Sequence, residues 1–370
     1  MTDKSAVPLK LNPAEVDSRL RETPVSLTEL RQVIPREFMQ PDDGTSWFAL
    51  GRVIGTAGIC LWLLARIEVD GGAALVWEVP SLVVLWVLYG WVLVGLFVLG
   101  HDCGHGAFSG RPWVNTAIGY LAMAPLANSL LVWRITHDHH HSHTQLRGQE
   151  VDWSVNLRTR AEFEPRHQRC PILIRLGYGL PFGIVIWIVW NAFRRGAQVR
   201  SMLTRRQWKA TKTKLLCSNL LMGACVLALY GGLWFGLGFW GMLKYHGVPA
   251  VIAMITGSFI LTIQHANSGS ILYSAEGWDP VRSQLASSFD IRFPSWIEYL
   301  WCNINIHIPH HIAPDIPWYH LKRAGSTLQA TFPHLYLEER FTTEHLKFFV
   351  RTPFLKPVED NGYFLLDPSG

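Results

Sequence analysis

Residues Val79–Gly100 have the sequence VPSLVVLWVLYGWVLVGLFVLG and are followed without a break by HDCGH, residues His101–His105. The apolar stretch carries no charged side chain, and its length matches the ~20 residues of helix that cross a bilayer core of ~30 Å. Histidines four residues apart on a helix present both imidazoles on one face. We therefore expect a transmembrane helix that brings two metal ligands to one membrane surface.

Three further apolar stretches have the length and composition of transmembrane helices: Ser46–Ala65, Leu215–Gly238 and Gly247–Gln264. Two more are long enough but interrupted, Pro112–Trp133 by proline and asparagine and Pro171–Asn191 by arginine and proline. We interpret both as interfacial or re-entrant helices. The expected fold class is an all-α integral membrane protein, with four transmembrane helices, interfacial helices and a cytoplasmic histidine-rich cap.

The composition agrees with a membrane protein. Of 370 residues, 49% are hydrophobic, 16% are charged and 17 are tryptophan, which favours membrane–water interfaces. The net charge of +5 is modest, and the basic residues lie beside apolar stretches, which favours a membrane surface over nucleic acid as the partner. The six cysteines form no CxxC pair, so we expect neither a disulfide framework nor a zinc knuckle.

The distribution of basic residues predicts the orientation in the membrane. Residues 191–214 contain eight Lys or Arg side chains and no Asp or Glu, which is typical of a cytoplasmic segment. With four crossings, both termini and all the histidine clusters then face the cytoplasm. We divide the chain into a cytoplasmic N-terminal segment, 1–45, and a membrane domain, 46–370, whose cytoplasmic cap comprises 101–214 and 265–370.

The N-terminal segment is polar and shows no apolar core of a signal peptide. Its residues Ser26–Glu29, SLTE, have the spacing of a capping box. This spacing predicts a helix that runs through Leu30 to Val33.

Three histidine clusters indicate the chemistry: HDCGH at His101–His105, HDHHH at His137–His141 and HIPHH at His307–His311. Side chains three or four residues apart lie on one face of a helix, so each cluster can point at a single site. In the third cluster Pro309 is compatible with a helix if it lies in the first turn. The candidate ligands are His101, His105, His137, His140, His141, His307, His310 and His311.

Imidazole suits iron, copper, zinc and nickel, and eight imidazoles exceed what one ion can bind but suit a pair of ions. A zinc protease would normally carry HExxH, which does not occur in this chain. Soluble di-iron bundles use glutamates together with paired Glu-x-x-His motifs, and that paired pattern is also missing. We therefore expect two iron ions with nitrogen ligands alone.

His265 is a ninth candidate ligand, because it follows the fourth expected transmembrane helix on the side of the clusters. The alternative is an interface histidine that only hydrogen-bonds.

The clusters can share one site only if Pro112–Trp133 and Pro171–Asn191 do not cross the bilayer, since either crossing would place clusters on opposite surfaces of the membrane. Topology, charge and metal binding thus lead to the same arrangement.

Other polar residues near the clusters have simpler interpretations. His139 faces away from its neighbours and His143 lies beyond the cluster, so both are expected to support the ligands or to lie at the surface. Asp102 and Asp138 either accept hydrogen bonds from ligand imidazoles and fix their tautomers, or are solvated carboxylates. A single cluster could be a run of surface histidines, but three of them beside apolar stretches argue against that. The isolated histidines are expected to be structural: His167, His246, His320, His334 and His345.

At these residues the chain resembles the membrane fatty acid desaturases. HDCGH, HDHHH and HIPHH are similar to the three histidine boxes of that family in order and approximate spacing, and the resemblance covers about Leu27–Leu328. Two segments, Asn305–His311 (NIHIPHH) and Ile316–Tyr319 (IPWY), are most similar to the acyl-lipid Δ12, or omega-6, branch found in bacteria, cyanobacteria and plastids.

The resemblance implies an O2-dependent enzyme that introduces a cis double bond into a lipid-linked acyl chain. It implies two iron ions on the box histidines, with a further histidine between boxes two and three, where His265 lies. It also implies four membrane-spanning helices and a cytoplasmic catalytic cap. The HPGG signature of a fused cytochrome b5 domain is missing, so a separate donor of the ferredoxin or cytochrome b5 type is expected.

Two alternatives remain at this point. A fatty acid hydroxylase or a carotenoid ketolase or hydroxylase would use the same scaffold but retain oxygen in the product. A histidine-rich metal transporter belongs to a different class. Transporters tend to place ionisable residues near the bilayer midplane, whereas these histidines lie at helix ends, which favours the enzyme.

Overall fold

The computed structural model describes residues 11–68, 75–151, 157, 159, 161–162, 198–267, 269–350, 354–358 and 362–367. The expected helix Pro171–Asn191 and the first part of the basic segment lie outside the described residues. The helices are α1 Pro13–Glu22, α2 Leu27–Val33, α3 Asp43–Ala65, α4 Leu75–His105, α5 Pro112–Met123, α6 Leu130–Ser142, α7 Arg205–Val226, α8 Gly232–Met242, α9 Val248–His265, α10 Pro280–Leu285, α11 Ser295–Leu300, α12 Ile308–Ile312, α13 Leu321–Thr331 and α14 Thr343–Val350.

The N-terminal segment forms two short helices that pack on the rest of the protein. In α2 the capping box is complete, because Ser26 Oγ accepts from Glu29 N at 3.1 Å and the Glu29 carboxylate accepts from Ser26 N at 2.7 Å. This confirms the predicted helix. Helix α1 is held by the buried Asp17, whose carboxylate accepts hydrogen bonds from Tyr273 Oη at 2.7 Å and Arg282 Nη1 at 3.1 Å.

Helices α3 and α4 contain the first two expected transmembrane stretches. Helix α3 begins three residues earlier than expected, because Asp42 accepts a hydrogen bond from Thr45 N at 2.7 Å and caps it. Helix α4 has 31 residues, which is about 46 Å of helix and more than a bilayer core requires. It continues through HDCGH, so His101 and His105 lie at its C-terminal end.

Helices α5 and α6 form a bent pair where one apolar stretch, Pro112–Trp133, was predicted to be interfacial or re-entrant. The axes of Pro112–Leu126 and Leu130–Ser142 differ by 92°. Ala127 lies at the bend with a φ of 54°. The pair is therefore not one straight helix, and α6 carries the second histidine cluster back toward α4.

Residues 205–265 form a helical run of 61 residues, which would be about 92 Å long if it were straight. It is broken at Gly238, whose φ of 72° and ψ of 178° are accessible essentially only to glycine. The run folds back on itself there, because the rings of Tyr230 and His246 are only 4.9 Å apart. Tyr230 Oη donates to Pro125 O at 3.2 Å, and His246 Nε2 lies 2.8 Å from the same oxygen.

The two arms of this hairpin contain the third and fourth expected transmembrane stretches. Among the described residues, α3, α4 and the run 205–265 are long and apolar enough to cross a membrane, and the bent α5–α6 pair would add one more if it were a single span. Apolar side chains on the hairpin face outward, such as Phe235, which is 92% exposed. Such a surface suits lipid rather than water.

After α9 the chain forms a compact layer of short helices and five strands: β1 Ile271–Tyr273, β2 Asp290–Arg292, β3 Glu338–Arg340, β4 Phe354–Val358 and β5 Tyr363–Asp367. One antiparallel sheet has the order β1-β5-β4, and β2 pairs in parallel with β3. The all-α expectation missed these two small sheets. A single apolar core joins this layer to α3, α4 and α9, and the histidine clusters lie where the two meet.

Candidate metal centre

The structure gathers the histidines into two adjacent groups of four. In the first group, one ring nitrogen from each member lies within 4.8 Å of the others, and its members are His101, His105, His137 and His310. The two from HDCGH come from the end of α4, His137 comes from α6 and His310 comes from α12. The closest measured pair is His137 Nε2 and His101 Nε2, at 3.2 Å.

The second group contains His140, His265, His307 and His311, which also place one ring nitrogen each within 4.8 Å of the others. His140 comes from α6, His265 ends α9, and the other two belong to the third cluster. Each of these four side chains is buried. His265 therefore lies among the box histidines, and its role as a ligand stays a prediction.

Helical spacing explains how one cluster serves both groups. On α6, His137 points to the first group and His140 to the second, three residues later. His141 lies between them, with its Nε2 atom 3.1 Å from His137 Nε2 and its ring centroid 4.5 Å from that of His311. The third cluster divides in the same way, because consecutive helical residues point in different directions: His310 joins the first group and His311 the second, while Pro309 fits in the first turn of α12.

The geometry of the second group fits a cation. The Nε2 atoms of His265, His307 and His311 are separated by 2.8, 2.9 and 3.2 Å. A neutral imidazole nitrogen carries either one proton or one lone pair, so three of them cannot all hydrogen-bond to one another. Ligand atoms about 2.1 Å from one metal ion and at right angles would be roughly 3.0 Å apart. The triangle therefore suits three adjacent ligands of one ion.

The protonation states also fit metal binding. Burial lowers the pKa of five imidazoles well below 6.5, and neighbouring imidazoles lower it further: His137, His141, His307, His310 and His311. Neutral rings keep a lone pair for a metal ion. Nε2 of His105 and Nε2 of His310 are buried without a hydrogen-bond partner among the described residues, which is costly unless a cation binds them.

Three carboxylates support the ligands, and the sequence indicated only one of them. Asp102 Oδ1 lies 3.4 Å from His101 Nδ1, and its Oδ2 accepts from Trp318 N at 2.9 Å. Glu150 was missed, although its two oxygens lie 2.8 and 2.9 Å from His140 Nδ1.

Asp290 was also missed, and it acts on the backbone of the third cluster. Its Oδ1 atom accepts from the backbone N–H groups of His307 at 2.6 Å and Ile308 at 2.9 Å, at the start of α12. Tyr336 Oη donates to its Oδ2 atom. Burial raises the pKa of Asp290 to about 7 despite these hydrogen bonds. No sequence spacing marks either Glu150 or Asp290 as a partner of a histidine.

The remaining predicted residues lie outside the two groups. Asp138 is exposed and forms an ion pair with Arg134 at 3.8 Å, so it corresponds to the solvated alternative. The rings of His139 and His143 stack on each other at 4.0 Å on the outer side of α6. His167 lies outside the described residues.

Trp133 determines how closely α4 and α6 approach each other. Its ring stacks on His137 at 4.5 Å and lies 5.1 Å from the ring of His101. A Cβ atom at Gly104 would lie 2.2 Å from Trp133 Cζ3, which is closer than any real contact. The glycine of HDCGH is therefore required by the tryptophan that orients the ligands of the first group.

An apolar cavity of about 180 Å³ leads from between α4 and α9 to both groups. Its walls include Val94, Phe97, Met254 and Leu261, together with histidines of both groups. His101 and His137 of the first group line it, and so does His307 of the second. Any apolar chain in this cavity would therefore lie against both candidate metal positions.

Fold and site together define a class: a helical protein with membrane-type apolar helices and two buried histidine groups that could each hold a metal ion. A family model described as fatty acid desaturase matches residues 78–343, which include all three clusters. This chain belongs to the fatty acid desaturase family.

The curated relatives agree with this assignment. An sn-1 oleoyl-lipid 12-desaturase of Picosynechococcus sp. is 28% identical over 81% of this chain and 84% of its own length. A protein of the same description from Synechocystis sp. is 29% identical over 84% of each chain. A chloroplastic omega-6 fatty acid desaturase of Glycine max is 27% identical over 85% of this chain and 69% of its own length.

Proposed function

We propose that this chain is an O2-dependent acyl-lipid desaturase that holds two iron ions. The first ion would be bound by the first group together with His141, and the second by the second group. The nitrogen-only ligands, their burial and their lowered pKa values support iron in preference to the oxygen-loving ions of magnesium or calcium type. The family supports iron in preference to copper or zinc.

The observation that carries the proposal is the cavity. An acyl chain is apolar and narrow, and most of the cavity wall is formed by apolar side chains, chiefly of α4 and α9. A chain seated there would present a methylene pair to His101, His137 and His307, and so to both metal positions. The cavity thus supports a substrate that reacts within its hydrocarbon chain rather than at its end group.

When bound, the iron pair supplies the activation of O2 and the oxidation of an unactivated methylene pair. Two hydrogens from the chain, two electrons from a donor and two protons convert one O2 to two waters and leave a cis double bond. The residues of this chain hold the metal ions, fix the acyl chain and exclude water. The donor would be a separate carrier of the ferredoxin or cytochrome b5 type.

The position of the double bond is proposed from the relatives. The cyanobacterial proteins are described as sn-1 oleoyl-lipid 12-desaturases, and the plant proteins as omega-6 desaturases. We infer that this chain acts on a lipid-linked acyl chain at Δ12.

We further infer four membrane crossings: α3, α4 and the two arms of the hairpin at Gly238. The C-terminal ends of α4 and α9 carry ligands and therefore lie on the same side, beside the basic start of α7. Basic residues favour the cytoplasmic surface. The cap, residues 101–214 and 265–370, and both termini would then be cytoplasmic, in a bacterial inner membrane or its equivalent, with residues 1–45 as a separate N-terminal segment.

The direct test is to express the chain in a host that makes monounsaturated but no diunsaturated lipids. Gas chromatography with mass spectrometry should reveal a fatty acid two hydrogens lighter than its precursor, with the new bond at Δ12. The matched control is His140→Ala. A product heavier by one oxygen would identify a hydroxylase or ketolase instead, and metal flux in vesicles without lipid turnover would identify a transporter.

A further inference from the structure

A buried carboxylate lies behind the second histidine group. Glu150 and His140 both have fully buried side chains, and the two carboxylate oxygens lie 2.8 and 2.9 Å from His140 Nδ1. The opposite ring nitrogen, His140 Nε2, is the side of the ring that can face the other members of the group. Glu150 therefore contacts the ligand without contacting the metal position.

The loop between α6 and Glu150 is built to return this carboxylate to the histidines. Gly148 has a φ of 84°, and Gln145 has a φ of 60°. The turn is closed by a hydrogen bond from Glu150 N to Leu146 O at 2.9 Å, and Gln145 N donates to Glu150 Oε2 at 3.3 Å. A left-handed backbone at a non-glycine residue is uncommon and is kept only where the surrounding structure enforces it.

The same loop contacts a second ligand of the group. The side-chain amide of Gln145 donates to His265 O at 2.9 Å and to Ser287 O at 2.8 Å. These bonds tie the C-terminal end of α9, where His265 lies, to the loop that carries Glu150. The loop thus holds two ligands that come from different helices.

We propose that Glu150 is a positioning residue for the second metal ion, an inference that rests on the proposed function. A carboxylate only accepts hydrogen bonds, so it keeps the His140 proton on Nδ1. Nε2 is then the ring nitrogen that carries the lone pair, and the His140 ring lies 4.8 Å from the ring of His265 and 5.1 Å from that of His311. The hydrogen bond also prevents the imidazole from rotating.

Zinc binding to metal-free protein tests this inference without any turnover. Wild-type protein should bind two zinc ions per chain. In Glu150→Ala we expect the affinity for one ion to fall about 10- to 100-fold, which is the range seen when a hydrogen-bond partner of a metal ligand is removed. The affinity for the other ion should stay unchanged. Glu150→Gln retains an oxygen that accepts from Nδ1–H, so it should keep most of the affinity.

The matched control is Glu162→Gln, which removes an exposed carboxylate paired with Arg147 of the same loop at 2.8 Å. It should bind both ions as wild type does. Iron analysis of protein purified from an iron-supplied host should agree, with about two ions per chain in wild type and about one in Glu150→Ala.

The outcomes separate the two proposals. Two tightly bound ions in both wild type and Glu150→Ala would overturn the role of Glu150 and leave the desaturase proposal standing. No bound metal in folded wild type would overturn the desaturase proposal itself. If Glu150→Ala does not fold, Glu150→Gln decides: the positioning role predicts two bound ions with at most a small loss of affinity for one of them, whereas a fall in both affinities together would overturn that role.

Discussion

The side chains of the two histidine groups are held in position in different ways. The first group is fixed mainly by packing, since Trp133 stacks on His137 and fills the space that Gly104 leaves open. The second is fixed mainly by hydrogen bonds: the Glu150 carboxylate accepts from His140, and the Gln145 side-chain amide donates to His265 O. The first also lines the apolar cavity with two members and the second with one. The group with more histidines in the cavity wall is therefore oriented by aromatic and small side chains, and the other by polar ones.

Removing one ligand from each group gives the largest effect and tests whether the groups are separate. His101→Ala and His140→Ala should each abolish turnover, because both ions are needed, and each should lower iron from about two ions to about one per chain. Fatty acid profiling and elemental analysis measure the two effects. The exposed His334 supplies the control, since His334→Ala should change neither. Full activity in either ligand variant would count against the two-group assignment.

The histidines that gather into the two groups could be picked out of the sequence because their spacing marks them. Three- and four-residue spacings survive in the structure as shared helix faces, and His265 could be found because it ends an apolar stretch. The division of the second and third clusters between two groups was not predictable. It depends on how α6 and α12 are rotated about their axes, and side-chain packing across the chain determines that rotation.

The main helices were predictable for a similar reason, since length and hydropathy mark each of them. The exact turn of the hairpin was not, because glycine is frequent in this stretch and only Gly238 adopts the required backbone. The small sheets and the roles of Glu150 and Asp290 were also missed. They depend on contacts between residues far apart in sequence, such as the β1–β5 pairing of Tyr273 with Tyr363.

Adding bulk should damage the first group more than the second. Gly104→Ala places a Cβ atom 2.2 Å from Trp133 Cζ3, so the tryptophan or α4 must move. Such overpacking costs about 1–3 kcal/mol of stability. We expect a lower melting temperature in detergent and loss of iron from the first group. Gly110→Ala is the control, because its Cβ atom would meet nothing within 4 Å. Equal effects of the two substitutions would show that Trp133 does not limit the packing.

Metal-free protein should lose stability as the pH falls below 6.5, the ordinary pKa of histidine. Five of the ligand imidazoles have a pKa well below that value when folded, mainly because of burial. The unfolded chain therefore binds more protons than the folded chain below pH 6.5, and each such group lowers stability by about 1.4 kcal/mol per pH unit.

Melting temperatures of metal-free protein at pH 7.5, 6.5 and 5.5 test the sign of this effect. We expect little change between the first two and a steep fall between the last two. His311→Asn removes one of the titrating groups from the more buried second group and should flatten the fall. A melting temperature that rises on acidification would contradict the assignment of neutral, buried imidazoles.

The smallest effect on activity is expected from substituting the carboxylate that supports the first group. Asp102 lies 3.4 Å from His101 Nδ1, farther than Glu150 lies from His140 Nδ1, so it should contribute less to metal binding. Asp102→Asn keeps an oxygen that can accept from Trp318 N, and we expect a loss of activity of no more than about tenfold. Asp138→Asn should have no effect, because Asp138 is exposed and pairs only weakly with Arg134. The contrary result would be that Asp102→Asn releases the first ion as completely as Glu150→Ala is expected to release the second. Carboxylate support would then matter equally in both groups. Packing by Trp133 would not be what distinguishes the two groups.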